Sequence, residues 1–560
     1  MYIRRQVRAL QFSIGMALTT AALFLVVSVG AFAETASSPV SGGLAAGGIV
    51  DNVLYPGALL QDEGPHGLIF VDTFDDELYD GGGDCSLREA IQAANLNRAV
   101  DGCPAGGVYD IIHLPAGTYE LSLSGRDEDA NATGDLDVLT DILSLVGAGA
   151  QDTVINGQNI DRVLHVHAGA SVEVQGVTFT GGLAKRSGGG IYNAGVLALI
   201  QSTVRNNRTS SEHNLFSPGS PGWGGGIYNA GRLRMIDSQV ADNGTGSGAG
   251  IIYGSSGGSG GGLCNAGSAT VINSSFSGNT TGSGGCGNHW PGDGGSGGGM
   301  YNGGTLTLTH SSLANNGTGG GPTCAIYDGG IATGRGGSGG GIYNVGGLSL
   351  SGSTIMDNAT GGGSPPGPGA GIANGSTLVV VDSTISGNRT GYRGGGISNS
   401  GRLTVRNTTI AQNVAADTGG GLYAGGIVEL VNSLLAENRA GDEPGDCACS
   451  GPDAVRSLGY NLAEVAGACP LTATGDITGT AACLEPLRLR GGWTSTHGLL
   501  PDSPAIDAGS CPGSTTDQRG FRRPVDIPDA LNVADACDIG AFERGAYRYF
   551  YLPLIFRTSP

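Results

Sequence analysis

Gly188-Gly189-Gly190-Ile191-Tyr192-Asn193, followed by Leu197, Leu199, Ser202, Val204 and Asn207, is a unit that recurs eight times between Gly188 and Ala440. The asparagine closing the glycine run marks each unit: Asn193, Asn229, Asn265, Asn302, Asn344, Asn374, Asn399 and, as the one exception, Ala424. An apolar residue stands two before it (Ile191 to Leu422), six after it (Leu199 to Leu430) and eleven after it (Val204 to Leu435). A Ser or Thr follows at nine and a second Asn at fourteen, Asn207 through Asn438. Alternating pairs such as Leu197 and Leu199, or Leu403 and Val405, have the period of a strand with one face inward. The shortest unit, Asn374 to Asn399, is 25 residues, about one turn of a solenoid whose coils stack at roughly 4.8 Å. Four buried aliphatics per coil contribute roughly 6–12 kcal/mol. Ordering the backbone costs about 1–2 kcal/mol per residue, so a lone coil does not fold and stacked coils must share core and hydrogen bonds. The asparagine columns read as turn ladders, because Asn tolerates left-handed backbone and stacked amides can bond from coil to coil. The expected fold is all-β, a right-handed parallel β-helix.

Composition agrees with that reading. The chain has 560 residues, 107 of them glycine, with 14% charged and 6% aromatic residues. Glycine without a strict three-residue period excludes collagen, and the alternating aliphatics exclude plain disorder. Net charge is −20 and Lys185 is the sole lysine, so no basic stripe is available for nucleic acid.

Arg4, Arg5 and Arg8 precede an apolar run from Ile14 to Val29, and Ala31-Phe32-Ala33 reads as a cleavage site, which makes residues 1–33 an export signal. No later segment is long enough to span a bilayer as a helix. The expected order is a flexible lead-in over 34–67, a cap and first coils over 68–160, the repeat over 161–445, a C-terminal cap over 446–545, and an apolar tail over 546–560 that reads as a closing strand or a sorting segment. Eleven cysteines suit an exported protein. The pairs expected are Cys85–Cys103, Cys286–Cys324 and Cys511–Cys537, with Cys447, Cys449, Cys469 and Cys483 forming two more and Cys264 left over.

Two segments outside the repeat carry resemblances. Asp84-Cys85-Ser86-Leu87-Arg88-Glu89-Ala90-Ile91 resembles the CSLREA segment near the start of exported bacterial β-helix proteins. From the residues themselves, Ser86 and Glu89 form a capping box for a short helix that would close the bottom of the solenoid. Ser503-Pro504-Ala505-Ile506-Asp507-Ala508-Gly509, Asp517-Gln518-Arg519-Gly520 and Asp538-Ile539-Gly540-Ala541-Phe542-Glu543 resemble the choice-of-anchor Q domain. The repeats are loosely similar to those of polymorphic outer-membrane proteins. Together these resemblances imply a secreted or cell-surface β-helix of the pectate-lyase-like kind, with a disulfide-rich C-terminal cap and no particular reaction.

A lyase acting on acidic polysaccharide needs a cation or arginine against the uronate and a base beside it. Asp237 and Asp382 share one column and Asp242 and Asp357 another, but neither pair falls on neighbouring coils. The Asn-x-Asp, paired aspartates and Gly-His-Gly of a polygalacturonase-type hydrolase are not found, so no catalytic residue is assigned. The expectation is adhesion or glycan contact without catalysis. A polysaccharide lyase or related carbohydrate-active enzyme is the rival reading, and a purely structural surface protein the third. The partner would be an extracellular or cell-surface glycan, or another surface protein.

Two regions could bind. The column before the asparagine (Tyr192, Tyr228, Cys264, Tyr301, Tyr343, Ala373, Ser398, Tyr423) points outward, where tyrosines can meet sugar rings or simply cover the sheet. Every insertion falls between the second Asn and the next glycine run; those after Asn207, Asn243, Asn279 and Asn316 span 16 to 22 residues. These one-edge loops carry Trp223, Trp290, His213, His289, Asp293 and Asp328, the place where solenoids usually recognise partners. Asp127, Asp129, Asn131 and Asp135 stand at alternate spacing like half of a calcium loop, but Ala132 and Val138 replace its glycine and its bidentate glutamate. No cofactor is required by the sequence, and calcium is the one that this pattern admits.

Overall fold

The computed structural model describes residues 66–546 apart from 80, 140, 141, 212–220, 251 and 529. The export signal, nearly all of the lead-in, His213 and the apolar tail lie outside the described residues. Three long parallel sheets are built from strands between His66 and Thr478. Sheet 1 collects five-residue strands such as Val196–Ile200 and Arg232–Ile236; sheet 2 collects Ile191–Asn193 and Ile227–Asn229; sheet 3 collects Thr203–Arg205 and Gln239–Ala241. They contain 13, 11 and 13 strands, in that order. Each coil lies in register on the last, with Tyr192 opposite Tyr228, Leu199 opposite Met235 and Val204 opposite Val240. This is a parallel β-helix.

The inward columns form its core. Ile191, Leu197, Leu199 and Val204 are all fully buried, and so are their counterparts Leu422, Val428, Leu430 and Leu435 in the last unit. The glycine run is a steric requirement. Gly188 has φ +78°, and a Cβ on Gly189 would lie 2.2 Å from the carbonyl oxygen of Gly225 on the next coil. Only backbone fits where the loops re-enter the stack.

Both asparagine columns are side-chain ladders. Asn193 Nδ2 donates to Asn229 Oδ1 at 2.7 Å, and the pattern continues to Asn399. The second ladder runs from Asn207 through Asn438 and ends where Asn438 donates to Asp446 Oδ1 at 2.8 Å. The serines make a third ladder, each hydroxyl oxygen accepting from the backbone N–H one coil earlier, as Ser238 does from Ser202 at 3.1 Å. Left-handed backbone belongs to other residues than the ladder asparagines. It falls one position before the serine ladder, at Gln201, Asp237, Asn273 and Asp382, and one before the second asparagine ladder, at Asn206, Asp242 and Asp357. The two aspartate columns are therefore corner positions that favour Asp, Asn or Gly.

Burial lifts the Asp446 carboxyl from 3.8 to about 6. The folded chain thus binds more protons than the unfolded chain between about pH 4 and 6, and this group's contribution to stability falls as pH rises through that window. The melting temperature is expected to be higher at pH 5 than at pH 7.5, with Asp446→Asn narrowing the difference in a calorimetric scan.

At the N-terminal end the helix α1 (Leu87–Leu96) carries the capping box, Ser86 accepting from Glu89 N and Glu89 accepting from Ser86 N. It precedes the first strand of sheet 2, Leu136–Val138, and buries Leu87, Ala90 and Ile91 in the same core. Arg88, fully buried, pairs with Asp76 at 2.6 Å and donates to the carbonyls of Gly134 and Asp135.

The C-terminal segment is more than an end piece. Residues 494–541 lie back along the outer face of sheet 3. Thr494 Oγ1 donates to Gly352 O, Thr354 Oγ1 to Ser495 O, and Ala541 N to Thr409 Oγ1. Gln518, fully buried, donates to Thr354 Oγ1 and accepts from Thr384 Oγ1. A second apolar cluster joins Leu434 and Ala436 of sheet 3 to Leu499, Ala505, Ile506 and Ile539.

Of the expected disulfides, Cys85–Cys103, Cys286–Cys324 and Cys511–Cys537 are present. The expectation of two bridges among Cys447, Cys449, Cys469 and Cys483 is corrected: only Cys447–Cys469 forms, and Cys449 and Cys483 are free. Cys449 leans instead on Ala468 O, and Cys483 lies against Ala481 O. Four bridges suit an oxidising compartment.

Candidate binding face

The outward column of sheet 2 is a ring ladder. Tyr192 and Tyr228 stack with centroids 5.2 Å apart, and Tyr301 and Tyr343 lie 5.4 Å apart. Cys264 breaks the run, and beyond it Trp223 packs on the column, its ring 5.0 Å from that of Tyr301. The free Cys264 thiol is buried, and that burial pushes its pKa up to about 12, which leaves it inert as a nucleophile. The four tyrosines are half-buried. Burial likewise raises Tyr228 and Tyr301. Because Tyr192 and Tyr228 pack face to face, a ligand approaching that end of the column meets ring edges.

Trp290 is not part of that ladder. It sits on a separate cluster built by the loops of three successive coils. Tyr253, His289 and Tyr327 stack with centroids 5.7 and 6.0 Å apart and interplanar angles of 28° and 3°. Gly254 N donates to Trp290 O, His289 N to Ile252 O, and Tyr327 N to Asn288 O, so the loops pair much as the coils beneath them do. The Cys286–Cys324 bridge fastens the second loop to the third. The third is stiffened by an antiparallel hairpin, Thr323–Ala325 with Ile331–Thr333. Exposure separates this cluster from the tyrosine ladder: Tyr253 is 57% accessible, Trp290 68% and Tyr327 83%. In a chain with 6% aromatics, such a concentration of open rings makes this loop edge the candidate interaction surface. Asp293 and Asp328 accept loop N–H groups, from Arg335 and Gly330, and thereby shape the loops.

The four residues read as a calcium half-loop do not converge on one point. Asn131 donates to Arg88 O and Gln92 Oε1, and Asp135 is buried against Arg162 at 2.9 Å. Burial holds the Asp135 carboxyl above its ordinary range. Asp127 lies near Arg186. Asp129 alone faces other ligand-type atoms, in a group with Asp137, His165 and His167. Sequence reasoning missed these three. The signal was there, since Leu164-His165-Val166 occupies the rung beneath Ile191-Tyr192-Asn193, but no glycine run introduces it. Asp75 and Asp76 belong to the N-terminal cap, where Asp76 holds Arg88.

No helix among the described residues is long and apolar enough to cross a membrane. No protein-family model matches the chain, and no curated protein matches it. Among solved structures it is similar to the crystal structure of the pectate lyase Pel9A, at 14% identity and a TM-score of 0.40, with 86% of this chain and 97% of that one covered.

Proposed function

We propose that this is an exported, adhesin-like β-helix that holds neutral glycans on the loop edge formed by Tyr253, His289, Trp290 and Tyr327, without cleaving them. The observation that carries the reading is the exposure of those rings on three loops that pair backbone to backbone, two of them tied by a disulfide. Flat aromatic faces with a polar tip meet the apolar faces of sugar rings while leaving hydroxyls at a wet rim, and a rigid platform loses little entropy on binding. Neutral sugars are favoured because the net charge of −20 repels acidic polymers at long range. The same charge disfavours single-stranded nucleic acid, which also stacks on aromatics but needs a basic groove.

A glycan array with the purified chain, run beside a lyase assay on uronate polymers with calcium, tests the proposal. Retention of neutral glycans with no new double-bond absorbance is expected. Absorbance rising with the wild-type chain would replace the reading by a polysaccharide lyase. Absence of any glycan or cell binding would replace it by a structural surface role.

A further inference from the structure

We infer that Asp129, Asp137, His165 and His167 form a binding site for a divalent transition-metal ion of the zinc class, which fastens the first loop of the solenoid to its first two sheet-2 strands. Their ligand atoms all lie within 4.8 Å of one another. His165 Nδ1 is 3.2 Å from Asp137 Oδ1 and 3.4 Å from Asp129 Oδ1, and His167 Nε2 is 2.8 Å from Asp137 Oδ1. An ion with ligands at about 2.0–2.2 Å in a tetrahedron sets its donor atoms roughly 3.3–3.6 Å apart, so only small shifts are needed to close around one.

The second observation is His165 itself. The residue is nine-tenths buried, and its Nδ1 makes no hydrogen bond although it faces both carboxylates. A buried imidazole nitrogen left without a bond is costly, and an ion between the carboxylates would satisfy it. The surroundings are built to hold the ligands. Asp137 Oδ2 accepts from Asn131 N, Asn131 Oδ1 accepts from Asp137 N, and Asn131 is anchored in turn to α1. Such outer hydrogen bonds are how metal-binding carboxylates are aimed. Two imidazoles with two carboxylates suit zinc or a neighbouring transition ion, whereas calcium takes oxygen ligands. Asp129 stands at the solvent edge, 67% accessible at its side chain, and gives the ion its entry path. The site is separate from the aromatic loop edge and does not depend on its role.

The test uses the purified full chain, stripped with EDTA, dialysed, and titrated with ZnCl2 by calorimetry and with CoCl2 by visible absorption. One zinc per chain and the bands of four-coordinate cobalt are expected, with a melting temperature that rises on zinc addition. The His165→Ala/His167→Ala double variant should lose at least about 100-fold in affinity, since even outer partners are worth 10–100-fold. Asp129→Asn, whose exposed side chain leaves folding intact, should weaken zinc and change the cobalt bands while circular dichroism stays the same. The site is refuted if the wild-type chain takes up no stoichiometric zinc, if the variants bind as the wild type does, or if CaCl2 displaces the zinc.

Discussion

Replacing Arg523 with alanine is expected to destabilise the C-terminal segment by about 3–5 kcal/mol, the range for removing one partner of a buried ion pair. Arg523 and Glu543 are both 0% accessible at their side chains and 2.8 Å apart. The same guanidinium donates to Gly540 O and Asp538 O. Without it Glu543 keeps N–H donors from Asp538 and Val525, but its charge stays buried beside Asp538, whose pKa burial and Glu543 together already push up to about 7. Of the coils, the corner Asp382 approaches Arg523, at 3.7 Å, while the guanidinium's hydrogen-bond partners lie in the segment or just after it, so the loss should be largely local. Hydrogen exchange should show residues 494–541 opening while Ile342–Asn344 and Gly347–Ser351 stay protected. Arg523→Lys should fall between, because a point charge cannot reproduce the fork. Uniform exchange across both regions in Arg523→Ala would show that the segment and the coils unfold as one unit.

Asn302→Ala is expected to cost about 2–4 kcal/mol, since buried polar groups left unpaired cost about 1–3 kcal/mol each. Asn302 is fully buried at the middle of the first ladder. It accepts from Asn265 Nδ2 at 2.8 Å and donates to Asn344 Oδ1 at 2.8 Å and Gly347 O at 3.0 Å. Alanine strands the Asn344 oxygen and leaves Asn265 with Thr305 O alone. The exposed neighbour Thr305, changed to alanine, should shift stability by less than about 0.5 kcal/mol. Denaturant melts of the two variants measure the contrast; equal midpoints would show that the ladder is ornamental.

The repeat exposed the coil architecture because its inward columns never change type. Ile191, Leu199 and Val204 predict three strands and a shared core, and the core holds them. The one-edge position of the loops was equally legible. The flank covered by the C-terminal segment was not, because side chains reached from 132 to 142 residues away have no local period. A trace of it exists in the outward positions of sheet 3. Arg205 and Gln239 are exposed on early coils, while Thr384, Ser386, Leu434 and Ala436 are buried on late ones. The His165 cluster escaped for a related reason. Asp161-Arg162-Val163 stands where later units have glycines, so the eight-unit register stopped one rung short. The sequence singles out His289 and Trp290 on these loops but not Tyr253 and Tyr327, since the stacking depends on how successive coils place their insertions.

The most direct measurement is a calorimetric titration of the best array glycan against wild type, Tyr327→Ala/Trp290→Ala and Tyr343→Ala. Loss of binding by about 30-fold or more in the double variant is expected, matching the roughly 2 kcal/mol of an aromatic hot spot, with Tyr343→Ala close to wild type. Undiminished affinity in the double variant, or a loss confined to Tyr343→Ala, would contradict the account.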